Sequence, residues 1–188
     1  MTRTNVALAA TALTAALVLT GCAGGAASAP PAASSSSADV AFAQNMIPHH
    51  EQAVAMARLA DGRAGARVGA LADRIETAQG PEIAQLQGLL AEWDAAPAAD
   101  HHAGHGGPAG MAGMTGMMSD EQMAGLERAS GAAFDRSFLE MMIDHHEGAV
   151  TMARTELDAG VDPRARELAQ RIADTQQAEI AEMRALLG

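Results

Sequence analysis

Apolar residues recur at three- and four-residue intervals over four long stretches, and that period predicts four amphipathic helices rather than strands. The first is expected from Asp39, read as its N-cap, to about Asp61, where Gly62 stops it. The second runs from about Ala66 to Trp93, the third from about Ala132 to Leu157, and the fourth opens at Asp162-Pro163, an N-cap followed by a first-turn proline. Ser119-x-x-Gln122 has the form of a capping box and predicts a short extra helix to Arg128, broken near Gly131.

Two of these helices carry the same text. Met46-Ile47-Pro48-His49-His50-Glu51-Gln52-Ala53-Val54-Ala55-Met56-Ala57-Arg58 returns 96 positions later as Met142-Ile143-Asp144-His145-His146-Glu147-Gly148-Ala149-Val150-Thr151-Met152-Ala153-Arg154, and Phe42 returns as Phe138. At about 100° per residue, Phe42, Met46, Ala53, Ala57 and Ala60 form one stripe, with His49 and His50 on its two flanks and Gln44, Glu51 and Arg58 turned away. Pro48 is expected to kink the first helix without ending it, because Asp144 fills the matching place in the second copy. The other two helices repeat at an offset of 97. Leu71, Ile75, Ala78, Leu86 and Leu89 answer to Leu168, Ile172, Thr175, Met183 and Leu186, with Glu82 and Glu179 inside the stripes and Gln79 matched by Gln176. A carboxylate in an apolar stripe needs a partner, and across a helical hairpin the histidines are the nearest. Two such hairpins, 39–94 and 119–188, predict an all-α antiparallel four-helix bundle with an approximate two-fold.

Composition narrows what the bundle can do. The 188 residues allow one domain plus a leader; there is no Tyr and one Trp, and the net charge is −11 with every basic residue an arginine. That balance excludes a nucleic-acid groove and favours cations as partners. Residues 1–21, with Arg3 ahead of an apolar run from Val6 to Leu19, read as an export signal too short to span a membrane. The run closes on Leu19-Thr20-Gly21-Cys22, which resembles the bacterial lipobox and would make Cys22, the sole cysteine, a lipid-modified first residue. Residues 22–38, rich in Ala, Ser and Pro, are expected to be a disordered tether to an exported lipoprotein domain at 39–188.

With no thiolate in the body of the chain, ligands have to come from His, Met or carboxylate. Met46, His49, His50, Met56, Met142, His145, His146 and Met152 form a repeated set of imidazoles and thioethers, soft enough for a metal, with Glu82 and Glu179 as their hydrogen-bond acceptors. The linker 95–118 adds His101, His102, His105, Met111, Met114, Met117 and Met118, a tract expected to collect Cu(I) without belonging to the packed fold. Satisfied core histidines in a purely structural or partner-binding bundle are the competing reading. A di-iron carboxylate oxidase needs Glu-x-x-His on two helices, but Met46, Ile47, Met142 and Ile143 occupy those places. A zinc protease fails because Val54 and Val150 stand where its second histidine would be.

Met-Ile-x-His-His-x-x-Ala-Val-x-Met-Ala, written twice within 39–188, resembles the bacterial domain-of-unknown-function 305 family. The resemblance implies a ferritin-like four-helix bundle and, for some members, an exported protein binding copper. It implies Cu(I), with Ag(I) as its analogue, held by Met and His. The function expected is binding, buffering or handover of the ion rather than catalysis. The metal's donor or acceptor protein and any homo-oligomer are left open.

Overall fold

A computed structural model describes residues 34–97 and 115–188. All regular elements there are helical: α1 (Ser37–Arg58), α2 (Ala66–Glu92), α3 (Asp120–Arg128), α4 (Gly131–Ala159) and α5 (Pro163–Leu187). Cys22 and the tract His101, His102, His105, Met111 and Met114 lie outside the described residues.

The chain enters α1 earlier than expected. Ser36, not Asp39, is the N-cap: its hydroxyl accepts from the Ala38 and Asp39 amides, and Asp39 at N3 returns the bond to the Ser36 amide at 2.6 Å. Ser37 and Ala38, expected in the tether, are therefore helical. Asp39 is fully buried and has a second task, accepting from the Val161 and Asp162 amides at 3.0 and 2.9 Å. It ties the start of α1 to the turn between α4 and α5, and these donors hold its carboxyl below the usual range against the opposing effect of burial. Trp93 at the end of α2 donates to Asp162, the N-cap of α5, so the same end of the bundle is stitched from three sides. Glu156, buried beside Asp39, is pushed up to about 8, first by burial and then by that neighbour.

α1 stops at Arg58 and a turn follows, with Gly62 at φ 68°, a left-handed conformation that glycine adopts without cost. α1 and α2 run unbroken through Pro48 and Pro81. The two hairpins, α1 with α2 and α4 with α5, meet chiefly through α1 against α4. Their sense is antiparallel: Phe42, Ala43 and Met46 from the first half of α1 share an apolar cluster with Ala149 and Ala153 from the second half of α4. Ala53, Met56 and Ala57 share the other cluster with Phe138, Leu139 and Met142. The fold is thus the antiparallel four-helix bundle expected, with α3 packed against α4.

Two stripe positions differ from expectation. Gln79 and Gln176 are buried where Ala78 and Thr175 were expected, while Ala78 is half-buried and Thr175 exposed. The burial shift turns two amides toward the interior. Met118 also departs from its expected place in the linker: it is buried in the cluster of Met56, Phe138 and Met142. Its backbone is pinned, its amide donating to Gln52 Oε1 at 2.7 Å and its carbonyl accepting from Gln52 Nε2 at 2.8 Å. Met117 beside it is half-buried.

Candidate metal centre

Between the two apolar clusters lies a layer of four imidazoles, all without solvent exposure. His49 and His145, related by the repeat, meet at the α1–α4 contact with ring centroids 3.8 Å apart and planes tilted by 39°. His50 and His146 turn outward across their hairpins. His50 Nε2 lies 2.8 Å from Glu82 Oε2, and His146 Nε2 lies 2.7 Å from Glu179 Oε2. The carboxylates keep partial access to water, at 19% and 13% exposure, so each joins a buried ring to the surface. Because a carboxylate oxygen accepts, Nε2 of each ring is the atom that donates, and in the neutral tautomer this fixes, Nδ1 is the atom with a lone pair. That is how an acidic partner orients a metal-ligating imidazole.

The central pair is less well satisfied. His49 Nε2 donates to the Thr115 carbonyl at 3.3 Å, leaving Nδ1 without a partner among the described residues. The His49 backbone lies close enough to the His145 ring to oppose slightly the effect of burial, but not at hydrogen-bonding geometry, and neither ring nitrogen has a partner among the described residues. Burial pushes His49 down to about 3, with His50 nearby adding to the effect, and pushes His145 well below the ordinary imidazole value for the same reason. Both rings are therefore neutral at pH 7, the state in which imidazole binds a metal. An orphaned buried imidazole costs roughly 1–3 kcal/mol, which folding alone does not explain.

Met46, Met56 and Met142 are fully buried and Met152 is half-buried. The antiparallel crossing divides them into two sets: Met46 with Met152 on one side of the histidine layer, Met56 with Met142 on the other. Met46 and Met56 are ten residues apart on one helix, about 15 Å along its axis, so one ion cannot take all four sulfurs. Met183 and Met118 enlarge the Met56–Met142 set, and Met123 and Met141 pack at its edge. Met183 is expected on the stripe of the last helix but not beside the candidate ligands, and nothing in the sequence points to Gln52 or Thr115. Gln79 and Gln176, buried with both amide atoms unpartnered among the described residues, lie one turn from Glu82 and Glu179.

No three His, Cys, Asp or Glu side chains converge on a metal-sized site among the described residues. A cage for zinc or a di-iron pair is thus missing from this part of the chain, whereas two neutral imidazoles with thioethers suit a soft monovalent ion of low coordination number. Two surface grooves among the described residues, one lined by Gln85, Glu92, Arg164 and Arg171 and the other by Gly65, Asp135 and Leu186, include none of these histidines and methionines.

The profile of the family described as Domain of unknown function (DUF305) matches residues 39–187. A DUF305 fragment from Deinococcus radiodurans is 34% identical and superposes with a TM-score of 0.71, covering 85% of this chain and 99% of that one. A DUF305 protein from Streptomyces coelicolor is 32% identical with a TM-score of 0.69, covering 80% and 90%. CopM in its Cu(I)-bound form is 28% identical with a TM-score of 0.64, covering 79% and 94%, and the same protein has been solved with Cu(II) and with Ag. No curated protein matches the chain.

Proposed function

Because this chain belongs to the DUF305 family, whose solved members include four-helix bundles of its own shape, we propose that it is an exported, lipid-anchored protein that binds Cu(I). It takes Ag(I) by the same chemistry. Its task is to hold the ion or pass it on, not to catalyse a reaction. The observation that carries the reading is His145: a buried neutral imidazole with neither nitrogen partnered among the described residues, set against His49, with the buried Met46 and Met142 each one turn before a ring of the pair. CopM, about 30% identical, was solved with Cu(I), Cu(II) and Ag, which supports the same class of cargo here. His145 and His49 would hold the ion with Met46 or Met142, each one turn before its histidine. Glu82 and Glu179 keep the neighbouring imidazoles in the Nδ1-ligand form.

Anaerobic titration of Cu(I) against a competing chelator tests the proposal. Met46→Leu with Met142→Leu is expected to leave metal-free stability within about 1.5 kcal/mol, since volume and apolarity are kept, while Cu(I) affinity falls at least tenfold. The comparison requires residues 101–114 replaced by a Gly/Ser linker in both proteins, because that tract can bind Cu(I) by itself. Equal affinity in the two would leave the methionines as core and favour a purely structural bundle, the role that the satisfied His50–Glu82 and His146–Glu179 pairs would also fill.

The anchor is a separate claim. Cys22→Ala is expected to abolish lipid labelling and to leave an uncleaved precursor, as the lipobox reading of Leu19–Cys22 requires. Recovery of unlabelled, normally cleaved wild-type protein from the medium would overturn it.

A further inference from the structure

Four helices surround the histidine layer, and among the described residues a short non-helical segment lies over it. Residues Thr115–Met118 cross the α1–α4 seam as a strap. On the α4 side Gly116, at φ 86°, lies against the Asp144 and His145 carbonyls and the Gly148 Cα. Side chains are excluded from both faces of this crossing: a Cβ at 116 would approach the Asp144 carbonyl to 2.6 Å, and one at 148 would overlap the Thr115 carbonyl. On the α1 side the strap is fastened by polar bonds, the pair from Gln52 to Met118 and the bond from His49 to Thr115, and by the Met118 side chain in the cluster that holds Met56. Thr115 is exposed, and the His49 ring directly beneath it has no exposure at all.

We propose that this strap is the entrance to the histidine pair, with Gln52 as its latch and Gly148 as its seat. The proposal rests on the reading of the chain as a soft-cation binder and adds the route by which the ion arrives. Lifting a helix away would break apolar packing along several turns, whereas lifting the strap breaks, among the described residues, three hydrogen bonds and withdraws one buried methionine. Opening also frees His49 Nε2 and uncovers the edge of His145. Closing restores the Thr115 bond, which fixes the His49 tautomer with Nδ1 as the ligand atom. The two halves of the repeat differ at this point: Gln52 of the first copy corresponds to Gly148 of the second, so one half supplies the latch and the other the space.

Ag(I), redox-inert and of the right softness, is the probe, and 15N-labelled histidines in the full chain report each imidazole by long-range 1H–15N spectra. In Gln52→Ala the rate at which the His49 and His145 signals shift after Ag(I) addition should rise roughly tenfold or more, the worth of two lost hydrogen bonds in the open population. Gln52→Glu keeps the acceptor for the Met118 amide and loses the donor, so an intermediate rate is expected. In the wild type the Met118 amide should exchange with solvent far faster than amides in the middle of α4. Unchanged Ag(I) rates in both variants, or Met118 exchange only through global unfolding, would overturn the strap as entrance while leaving the binding site intact. Silent imidazoles in every variant at saturating Ag(I) would overturn the binding site itself.

Discussion

Replacing His145 with leucine is expected to make the metal-free protein more stable while removing its inner binding site. The ring is fully buried and neither nitrogen has a partner among the described residues, so the native side chain carries an uncompensated desolvation cost. Leucine fills most of the volume without a polar atom, and the gain should be roughly 1–3 kcal/mol in urea unfolding. The contrast with its neighbour makes the experiment decisive. His146→Leu strands Glu179, whose carboxylate lies 2.7 Å from the ring, and should lower stability by a similar amount. If His145→Leu were instead as damaging as His146→Leu, His145 would be a satisfied structural residue and its role as a ligand would fall. Buried groups that cost stability and are retained are the mark of a site kept for binding.

Acidification should expose the same histidines from the other direction. His49 is pushed down to about 3 from an ordinary 6.5, so the unfolded chain takes up a proton below pH 6.5 that the folded chain refuses until about pH 3. Its stabilising contribution is present above 6.5 and lost progressively as pH falls toward 3, on the order of 4 kcal/mol for this ring alone. His145 is lowered by the same cause and adds to the loss. Glu156 works in the opposite sense. Its carboxyl is raised to about 8 from 4.5, so its contribution is complete below 4.5 and is lost as pH rises through 8. Metal-free stability should therefore rise from pH 8 toward 6.5 and then fall toward pH 4, where two histidines outweigh one carboxyl. Urea midpoints at pH 8, 6.5 and 4 measure this, with Glu156→Gln expected to flatten the alkaline limb. A midpoint at pH 4 equal to that at 6.5 would show that the rings are not held neutral by burial.

Much of the bundle and part of the site were legible because periodicity reports burial. The duplicated Met-Ile-x-His-His stretch gave the α1–α4 seam, and a carboxylate inside each outer stripe led to the His50–Glu82 and His146–Glu179 pairs, which the structure brings together. The start of α1 was misread because Ser36 belongs to a run of four serines that resembled a tether; Ser36-x-x-Asp39 was nonetheless a capping pattern. Gln79 and Gln176 were passed over for adjacent small residues, since an amide with no partner is a poor candidate for the interior until a polar layer is known to exist there. Thr115 and Gln52 left no signal at all. Their bonds join residues 66 apart through a carbonyl and an amide side chain, and no period in the sequence encodes such a contact.

The difference between Gln52 and Gly148 has a consequence for symmetry. Two identical hairpins associating as separate chains would be related by a true two-fold axis, and every residue would meet the same surroundings twice. A dimer of that kind has to cap both central histidines or neither. Fusing the hairpins into one polypeptide lifts the constraint, because positions 52 and 148 can be written independently and Thr115–Met118 lies over the seam with no counterpart required by symmetry. His49 is held by a carbonyl and His145 by nothing among the described residues. From two copies of one sequence the protein thus obtains two unlike buried imidazoles, one bonded to a carbonyl and one without a partner among the described residues, which a symmetric pair of chains cannot provide at a shared axis.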